Sequence, residues 1–446
     1  MSSSPESQSD SDIKHAPEPE KVALDTEAVV EALASQEVAE VTFPEGGWRA
    51  WSVVLGVWFI QFATLGYTNA HGVYNDFYVR EYLTHYSSSQ ISWIGSVQLL
   101  FVVSSGLFTG RAFDTGYFYH LMIGGSALFV VCLFMLSLTH AEQYYQVFLA
   151  QGLGLGIASG VTYVPGLAVI AHYFQRRRAL AMGIATSGSA VGAAVHPIML
   201  NQLFHGRVGF HAGVRASAGM NLGLIVIALL LMKPRLPPKS RKQGSTLLDL
   251  KTFLREPAYV TTISGIFLIL AGLYFPIFFL QLKAIKNGLT PSFAFYTLVI
   301  LNGVNTVGRV IPNILVAPLG VFNLMIFCMT SLGILIFCML LVKDIPGTVI
   351  FAILYGFFSG AYAGLLTPMI ASLAKTDAEI GARIGLCFTF TGIGGLIGTP
   401  IAGALLSSSF IWWRPLVFSG VCMLAGTASL CFTRYVVSKT KGTGWV

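Results

Sequence analysis

The sequence predicts an all-α membrane protein whose twelve transmembrane helices form two repeats of six. Three observations support this fold class: the composition, the spacing of the charges and a basic loop in the middle of the chain. The 446-residue chain is 54% hydrophobic and only 11% charged, whereas soluble domains are about 25% charged. A helix of about 20 apolar residues crosses the hydrocarbon core of a bilayer, so the uncharged stretches between the few charges are candidate spans.

The charges leave ten stretches without Asp, Glu, Lys or Arg, each long enough for one spanning helix. These stretches are 50–75, 82–110, 115–141, 143–175, 179–206, 216–232, 257–282, 345–374, 384–413 and 415–433. Residues 287–342 add a stretch whose only charge is Arg309, and its length predicts two further helices. The charge pattern therefore predicts twelve spans.

A basic, proline-rich loop at 233–257 divides the predicted helices six and six. At an offset of 203 residues, landmarks recur across this loop: Pro165 with Pro368, Gly192 with Gly395, and Pro197 with Pro400. Carriers built from two related halves bind substrate near the midplane, between halves that rock around it. We therefore predict six-helix bundles at 46–232 and 258–437, joined by a basic cytosolic linker at 233–257.

The two ends of the chain are predicted to be cytosolic tails. Residues 1–45 hold eleven acidic and two basic residues, and such a polar segment cannot bury enough surface to fold alone. We predict a disordered acidic tail there and a short tail at 438–446.

The basic residues that follow the acidic tail, with Arg309 left out, are divided unequally between the two sides of the predicted membrane. Seventeen lie on the side of the N-terminus and seven on the other side. Because basic loops stay in the cytosol, both termini are predicted to be cytosolic. We predict a multi-pass plasma-membrane protein, with the vacuolar membrane as the alternative.

A basic cluster precedes a long run of small residues between the fourth and fifth predicted helices. Arg176, Arg177 and Arg178 open this segment, "RRRALAMGIATSGSAVGAAVHP". The cluster predicts a cytosolic anchor, with anionic membrane lipid as a further partner. Gly and Ala allow close backbone approach. The fifth helix is therefore predicted to pack closely against the glycine-rich fourth helix and to slide on it.

Arg309 lies deep in an apolar run. An arginine inside the membrane is costly unless it faces the bundle interior or a wet cavity, and its planar fork suits a carboxylate. We predict that Arg309 binds substrate, helped by Asn305 one turn earlier on the same helix face. The alternative is a structural arginine bonded to backbone carbonyls.

The sequence offers few titratable groups within the spans. No Asp or Glu lies in mid-membrane, so His71 and His196 are the weak candidates for proton coupling. The alternative for each histidine is simple packing or hydrogen bonding.

Enzyme and metal-site patterns are not found in the sequence. The six cysteines fall inside apolar runs without paired ligand spacing, which is typical of small hydrophobic residues in helices. The segment "GLGLGIASG" at 152–160 lacks the preceding strand and the lysine of a phosphate-binding loop. We predict no enzymatic activity, no metal or other cofactor and no nucleic-acid partner; an integral membrane enzyme or a non-transporting sensor is the alternative from another class.

Several motifs resemble those of one transporter family. The segment "YFQRRRALAMGIATSGSAVG" at 173–192 resembles the helix 4–5 signature of the monocarboxylate transporter family, within the major facilitator superfamily. The segment "PEGGWRAW" at 44–51 is similar to that family's motif at the start of helix 1. The segment "GRAFDTG" at 110–116 resembles the superfamily's helix 2–3 loop motif, and "GRVIPNILVAPLG" at 308–320 occupies the place of a second copy, with Ala317 instead of its acid. The resemblance covers residues 44–437 and is greatest for the fungal branch.

The resemblance implies a major facilitator fold and secondary transport by alternating access. Helices 1, 4, 7 and 10 line the cavity in that superfamily, which implies substrate contacts for some of their tyrosines. The candidates are Tyr67, Tyr163, Tyr274 and Tyr362. The motif residues Gly110, Arg111, Asp114 and Gly116, together with Arg176, Arg177 and Arg178, are implied to form a cytosolic gate.

Two positions depart from the family pattern. Where the family has an acidic residue one turn before the conserved arginine, this sequence has Asn305 before Arg309. A helix 1 lysine that family members use for proton and anion handling corresponds to a position near Asn69, which is neutral. These neutral residues argue against lactate-type proton symport, whereas Arg309 favours an anionic or strongly polar substrate, with Asn69 among its contacts. We predict a carrier of a small organic acid or carboxylate-bearing metabolite, with protons as the candidate coupled ion. Efflux of a secondary metabolite is favoured, and uptake of a monocarboxylate or vitamin is the alternative.

Overall fold

The structure is a computed structural model that describes residues 43–86, 88–235, 251–375, 379–406, 410–442 and 444. Residues 1–42 of the predicted acidic tail, residues 236–250 of the predicted linker and residues 443, 445 and 446 of the predicted C-terminal tail lie outside the described residues. The predictions for those segments therefore remain predictions.

Twelve helices of the described chain are long and apolar enough to cross a membrane, and no strand is assigned there. The first six are α1 (Trp48–Tyr82), α2 (Trp93–Gly110), α3 (Phe118–Leu136), α4 (Tyr144–His172), α5 (Arg178–His205) and α6 (Gly209–Leu231). The last six are α7 (Pro257–Lys286), α8 (Ser292–Ile314), α9 (Val321–Leu341), α10 (Ile345–Ala371), α11 (Ile380–Leu406) and α12 (Trp413–Thr440). The predicted all-α fold with twelve spans is confirmed.

The prolines paired by the 203-residue offset occupy corresponding helices. Pro165 and Pro368 lie inside α4 and α10, and Pro197 and Pro400 lie inside α5 and α11. A proline inside a helix removes one backbone hydrogen bond and favours a kink. Spanning helices tolerate such breaks because neighbouring groups satisfy the freed carbonyls.

The buried apolar residues form two clusters, one in each half of the chain. The first cluster draws on residues 50–232, and the second on residues 253–437 together with Val164 of α4. Helix α6 ends and α7 begins at the same end of the molecule, on either side of the linker, and we call this end the linker face.

The two halves meet near the linker face through small residues. A Cβ atom added at Gly110 of α2 would lie 2.6 Å from the carbonyl oxygen of Gly381 in α11. A Cβ atom at Gly183 of α5 would lie 2.5 Å from the carbonyl oxygen of Arg309 in α8. Both crossings need glycine, so the halves are closed against each other at this end.

The glycines of α4 and α5 do not face each other, and the predicted packing of these two helices was wrong. A Cβ atom at Gly156 of α4 would lie 2.9 Å from the carbonyl oxygen of Gln98 in α2. At Gly192 of α5 it would lie 2.6 Å from that of Phe62 in α1. The composition reveals that a helix has a face of small residues, but it does not reveal which neighbouring helix packs against that face.

Candidate functional site

Arg309 is held by hydrogen bonds from both halves of the molecule. Its Nε donates to Oδ1 of Asn305 at 2.9 Å, within α8. Its Nη1 donates to the carbonyl oxygen of Thr186 and to Oγ of Ser189, both in α5 and both at 2.6 Å. The half-buried guanidinium therefore bridges the contact between α5 and α8.

The charge of Arg309 has no carboxylate partner in the part of the chain that the structure describes. Its Nη2 donates no hydrogen bond to a described residue. An unneutralised arginine inside a membrane needs a polar or anionic partner. Nη2 is thus the atom that can donate to an anion, while Nε and Nη1 are used to hold the side chain.

Asn305 positions Arg309 and is itself fixed by α10. Its Nδ2 donates to Oγ of Ser359 at 3.0 Å, and its Oδ1 accepts the bond from Arg309. The side chain is buried. Each end of the amide therefore makes one bond within the protein, and the direct substrate contact predicted for Asn305 remains a prediction.

A glycine stripe on α10 lets α8 approach closely enough for these bonds. The segment "GFFSGAYAG" at 356–364 repeats glycine at every fourth position. Cβ atoms added there would lie within 2.4, 2.2 and 2.6 Å of carbonyl oxygens of α8; the pairs are Gly356 with Leu301, Gly360 with Asn305, and Gly364 with Arg309. Sequence reasoning missed this stripe, although spacing of small residues by four is the known signal for close helix packing in membranes.

Two of the four tyrosines predicted to contact substrate lie near Arg309, and a third lies near these two. The phenols of Tyr163 in α4 and Tyr274 in α7 lie within electrostatic range of its guanidinium. Tyr362 of α10 interacts with both phenols, and its buried hydroxyl has no hydrogen-bond partner among the described residues. Side chains from α4, α7, α8 and α10 thus form one site with a cation and polar hydroxyls.

Tyr67 and Asn69 make no hydrogen bond to Arg309 in the described part of the chain, and their predicted substrate contacts remain predictions. Tyr67 is buried, and its hydroxyl bonds to Tyr74 and, at 2.9 Å, to Ser217 of α6. Asn69 is exposed and donates to the carbonyl oxygen of Leu65 in its own helix at 2.8 Å. A π-helical turn at Phe62–Gly66 holds one extra residue, which rotates all later side chains of α1 by roughly 100° relative to a regular helix.

The two candidate histidines lie in the N-terminal half, and neither bonds to Arg309. His71 Nδ1 is 3.3 Å from Nε2 of Gln151 in α4. His196 is fully buried, and its Nε2 lies 3.1 Å from the carbonyl oxygen of Phe62. Since a carbonyl only accepts, Nε2 carries the proton, and Nδ1 is an acceptor without a partner among the described residues.

At the linker face, Glu45 connects the two sequence signatures at 44–51 and 173–192. Its Oε1 accepts from the amides of Gln175 and Arg176 at 2.7 and 2.6 Å, and its Oε2 accepts from the amide of Arg177 at 3.1 Å. Burial acts to raise the pKa of Glu45, but the amide hydrogen bonds outweigh it and hold that pKa below the usual 4.5. The ionised carboxylate therefore fixes the loop between α4 and α5.

The other motif residues at this face are described only in part. Arg178 Nε donates to the carbonyl oxygen of Phe174 at 3.2 Å, and Gly116 has a positive φ of 94° that favours glycine. The side chains of Arg111 and Asp114 lie outside what the structure describes. The gate role predicted for these residues therefore remains a prediction.

A second acid holds the corresponding loop of the C-terminal half, and sequence reasoning missed it. Glu256, just before α7, accepts from Arg383 Nη1 and Lys375 Nζ, each at 2.7 Å. Arg383 is fully buried, pairs also with Glu379 at 2.9 Å and stacks on the ring of Phe253. The position of Glu256 could have revealed this contact, because an acidic residue precedes the first helix of each half.

Three known transport proteins are similar to this chain in sequence. The chain is 37% identical over 384 residues to the aspyridones efflux protein apdF of Emericella nidulans, covering 86% of this chain and 77% of that protein. It is 34% identical over 428 residues to the fujikurins efflux protein of Gibberella fujikuroi, covering 94% and 89%. It is also 36% identical over 407 residues to the MFS transporter asaE of Aspergillus flavus, covering 90% and 89%.

Two solved structures share the fold at low sequence identity. The Escherichia coli fucose:proton symporter FucP superposes with a TM-score of 0.64 at 15% identity, covering 86% of this chain and 98% of that one. The human organic anion transporter MFSD10 superposes with a TM-score of 0.64 at 14% identity, covering 85% and 98%. The family model described as Major Facilitator Superfamily matches residues 52–345. With twelve spanning helices and a polar site between its halves, this chain belongs to the Major Facilitator Superfamily of membrane transporters.

Proposed function

We propose that this chain exports a small organic acid or another carboxylate-bearing metabolite across the plasma membrane by alternating access. We also place it in the monocarboxylate transporter-like branch, on the motifs at 44–51 and 173–192. The observation that carries the proposal is the Arg309 guanidinium, which lies between the halves with no carboxylate partner among the described residues. A substrate carboxylate supplies the missing negative charge.

The bonds of Arg309 suggest how binding is linked to movement of the halves. A carboxylate that binds Nη2 and also reaches Nη1 competes for Nη1 with Thr186 and Ser189, which belong to the N-terminal half. Binding therefore weakens a contact that holds α5 against α8, while Asn305 keeps the arginine on α8. The hydroxyls of Tyr163, Tyr274 and Tyr362 supply hydrogen bonds to uncharged parts of the substrate.

The names of two relatives support export as the direction. Proteins 37% and 34% identical to this chain are named as efflux proteins for aspyridones and for fujikurins. The neutral residues Asn305 and Asn69 also stand where the proton-handling family pattern has charged ones, which favours a carrier other than a lactate symporter.

Comparison of a deletion strain with its parent tests both substrate class and direction. We expect one carboxylate-bearing metabolite to accumulate in the cells and to fall in the medium. Purified protein in liposomes should then move that metabolite, and Arg309→Gln should abolish the flux while the exposed loop variant Arg207→Gln retains it. Failure to grow on a particular acid, without intracellular accumulation, would instead assign uptake.

Proton coupling is proposed to run through His71 or His196, because an imidazole can take up and release a proton in the physiological pH range. The double variant His71→Gln/His196→Gln should flatten the pH dependence of flux while the protein still reaches the membrane. A pH profile identical to that of the wild type would remove both histidines from the mechanism.

A further inference from the structure

A cavity of about 490 Å³ opens on the linker face, between the start of α1 and the end of α6, away from Arg309. Three cationic side chains line it, and none of its lining residues is acidic; the lining residues are Pro44, Gly46, Gly47, Trp48, Arg49, Ala50, Tyr173, Lys233, Pro234 and Arg235. The volume lies within the range of small-molecule sites, which is about 300–1,000 Å³.

The N-terminus of α1 adds amide donors to these cations. Helix α1 begins after Gly47, whose φ is 82°, and no side chain of the described chain caps it. The first-turn amides of Trp48, Arg49 and Ala50 have no partner within the helix, and all three residues line the cavity. Free amides at a positive helix end favour a bound anion.

Glu45, two residues before Gly47, points its carboxylate away from this cavity and toward the loop between α4 and α5, and its single negative charge is outnumbered by the three cations. Both of its carboxylate oxygens accept from the amides of the loop between α4 and α5. Tyr173 connects this cavity to the end of α6: its hydroxyl donates to the backbone carbonyl oxygen of Lys233 at 2.7 Å, and its ring lies near Arg49 and Arg235.

The cavity lies where the spanning helices leave the hydrocarbon layer. The span of α1 begins at Trp48, and the span of α6 ends at Leu231. Trp48 is 85% exposed, and tryptophan is enriched at the level of lipid headgroups. An occupant held by Arg49 and Arg235 therefore lies within reach of the lipid leaflet.

We propose that this cavity binds the phosphate-bearing headgroup of an anionic lipid in the leaflet at the linker face. The phosphate accepts from the α1 amides and from Arg49, Lys233 and Arg235, and the acyl chains run along the exposed side of α1 and α6. Basic residues at a membrane surface attract anionic lipids in general; the cavity adds a defined place for one headgroup. This site is separate from that of the transported substrate.

Native mass spectrometry of the full-length protein in detergent, titrated with phosphatidylinositol 4-phosphate or phosphatidylcholine, tests the proposal. The wild type should retain one tightly bound molecule of the phosphoinositide and none of the phosphatidylcholine. Arg49→Gln/Arg235→Gln should weaken that binding about tenfold or more, because two charge-assisted contacts are lost. The matched control Lys251→Gln/Arg255→Gln removes the same charge from exposed positions of the same face outside the cavity and should stay within about twofold of the wild type.

Three results would overturn the proposal. Equal weakening in both double variants would show only diffuse attraction to the basic face. Displacement of the lipid by an equal concentration of inorganic phosphate would assign a site for soluble anions. A photo-crosslinking benzoylphenylalanine in place of Trp48 should form adducts with lipid in membranes, whereas adducts with peptides from residues 1–42 would assign the cavity to the acidic segment of the chain itself.

Discussion

The guanidinium of Arg309 is shared between the two halves of the molecule. Its planar fork predicted that it binds a carboxylate, but Nε and Nη1 already bond to Asn305, Thr186 and Ser189. The bond to Thr186 shows the structural role that the sequence left as an alternative, and the substrate role stays a proposal. Arg309 is bonded to a backbone carbonyl, and its Nη2 remains for an anion.

Replacing Arg309 should separate binding from folding. We expect Arg309→Gln to reach the membrane and to lose roughly ten- to a hundredfold in substrate affinity, since a charge-assisted contact contributes about 1.5–3 kcal/mol. Arg309→Lys should recover little, because one ammonium group cannot replace the planar fork that bonds Asn305, Thr186 and Ser189 together. Uptake into proteoliposomes measures both, and wild-type affinity in Arg309→Gln would make the residue structural only.

Restoring an acid beside Arg309 should oppose an anionic substrate. In Asn305→Asp the carboxylate would lie where Oδ1 accepts from Nε at 2.9 Å, so it would neutralise the guanidinium. We expect a higher KM for the anion or a flux that becomes more dependent on protons. Ser359→Ala is the control, because it removes only the bond behind Asn305; an unchanged KM in Asn305→Asp would argue against substrate charge as the partner of Arg309.

At the scale of the helices, the glycine stripe of α10 should tolerate no side chain. A Cβ atom at Gly360 would lie 2.2 Å from the carbonyl oxygen of Asn305, so Gly360→Ala must push α8 away. We expect a loss of about 1–3 kcal/mol of stability, together with lost transport. Gly303→Ala in α8 is the matched control, since nothing lies within 4 Å of its added Cβ. Equal melting temperatures for the two variants would contradict the packing argument.

The contact of Glu45 with the loop between α4 and α5 should depend on pH. The pKa of Glu45 lies below its usual 4.5, so the stabilisation is fully present above that value and is lost as the pH falls through the lower, folded-state pKa. We expect Glu45→Gln to melt below the wild type at pH 7, and the difference to shrink at acidic pH. The exposed control Glu81→Gln should show no such convergence, and a pH-independent difference for Glu45→Gln would assign the effect to something other than ionisation.

At the scale of the whole molecule, the closed linker face rests on glycines that touch across the halves. A side chain at Gly110 would meet the carbonyl oxygen of Gly381 at 2.6 Å, so Gly110→Val should force α2 and α11 apart. We expect faster hydrogen exchange in the first turn of α11 and a shift toward the state open at the linker face. Gly124→Val on α3 adds the same side chain where nothing lies within 4 Å, and identical exchange in both variants would show that the crossing does not hold this state.

The sequence by itself determined the twelve helices, the Major Facilitator Superfamily resemblance and the presence of Arg309 within a span. These features are local, because about 20 apolar residues in succession specify a membrane span whatever surrounds them. The family resemblance also predicted that Tyr163, Tyr274 and Tyr362 lie close to one another. The groups of α5 that bond to Arg309 could not be predicted, because no sequence pattern within α5 shows which helix it contacts.

Only the tertiary structure decided which helix faces meet and which candidate residues share a site. Lipid-facing and helix-facing surfaces are both apolar, so hydrophobic patterning does not identify neighbours in a membrane. The π-helical turn in α1 changes the direction of the side chains that follow it, including that of Tyr67. The bond between Glu45 and Gln175 joins residues 130 positions apart. Such contacts depend on how the folded helices pack, and a local pattern carries no record of that packing.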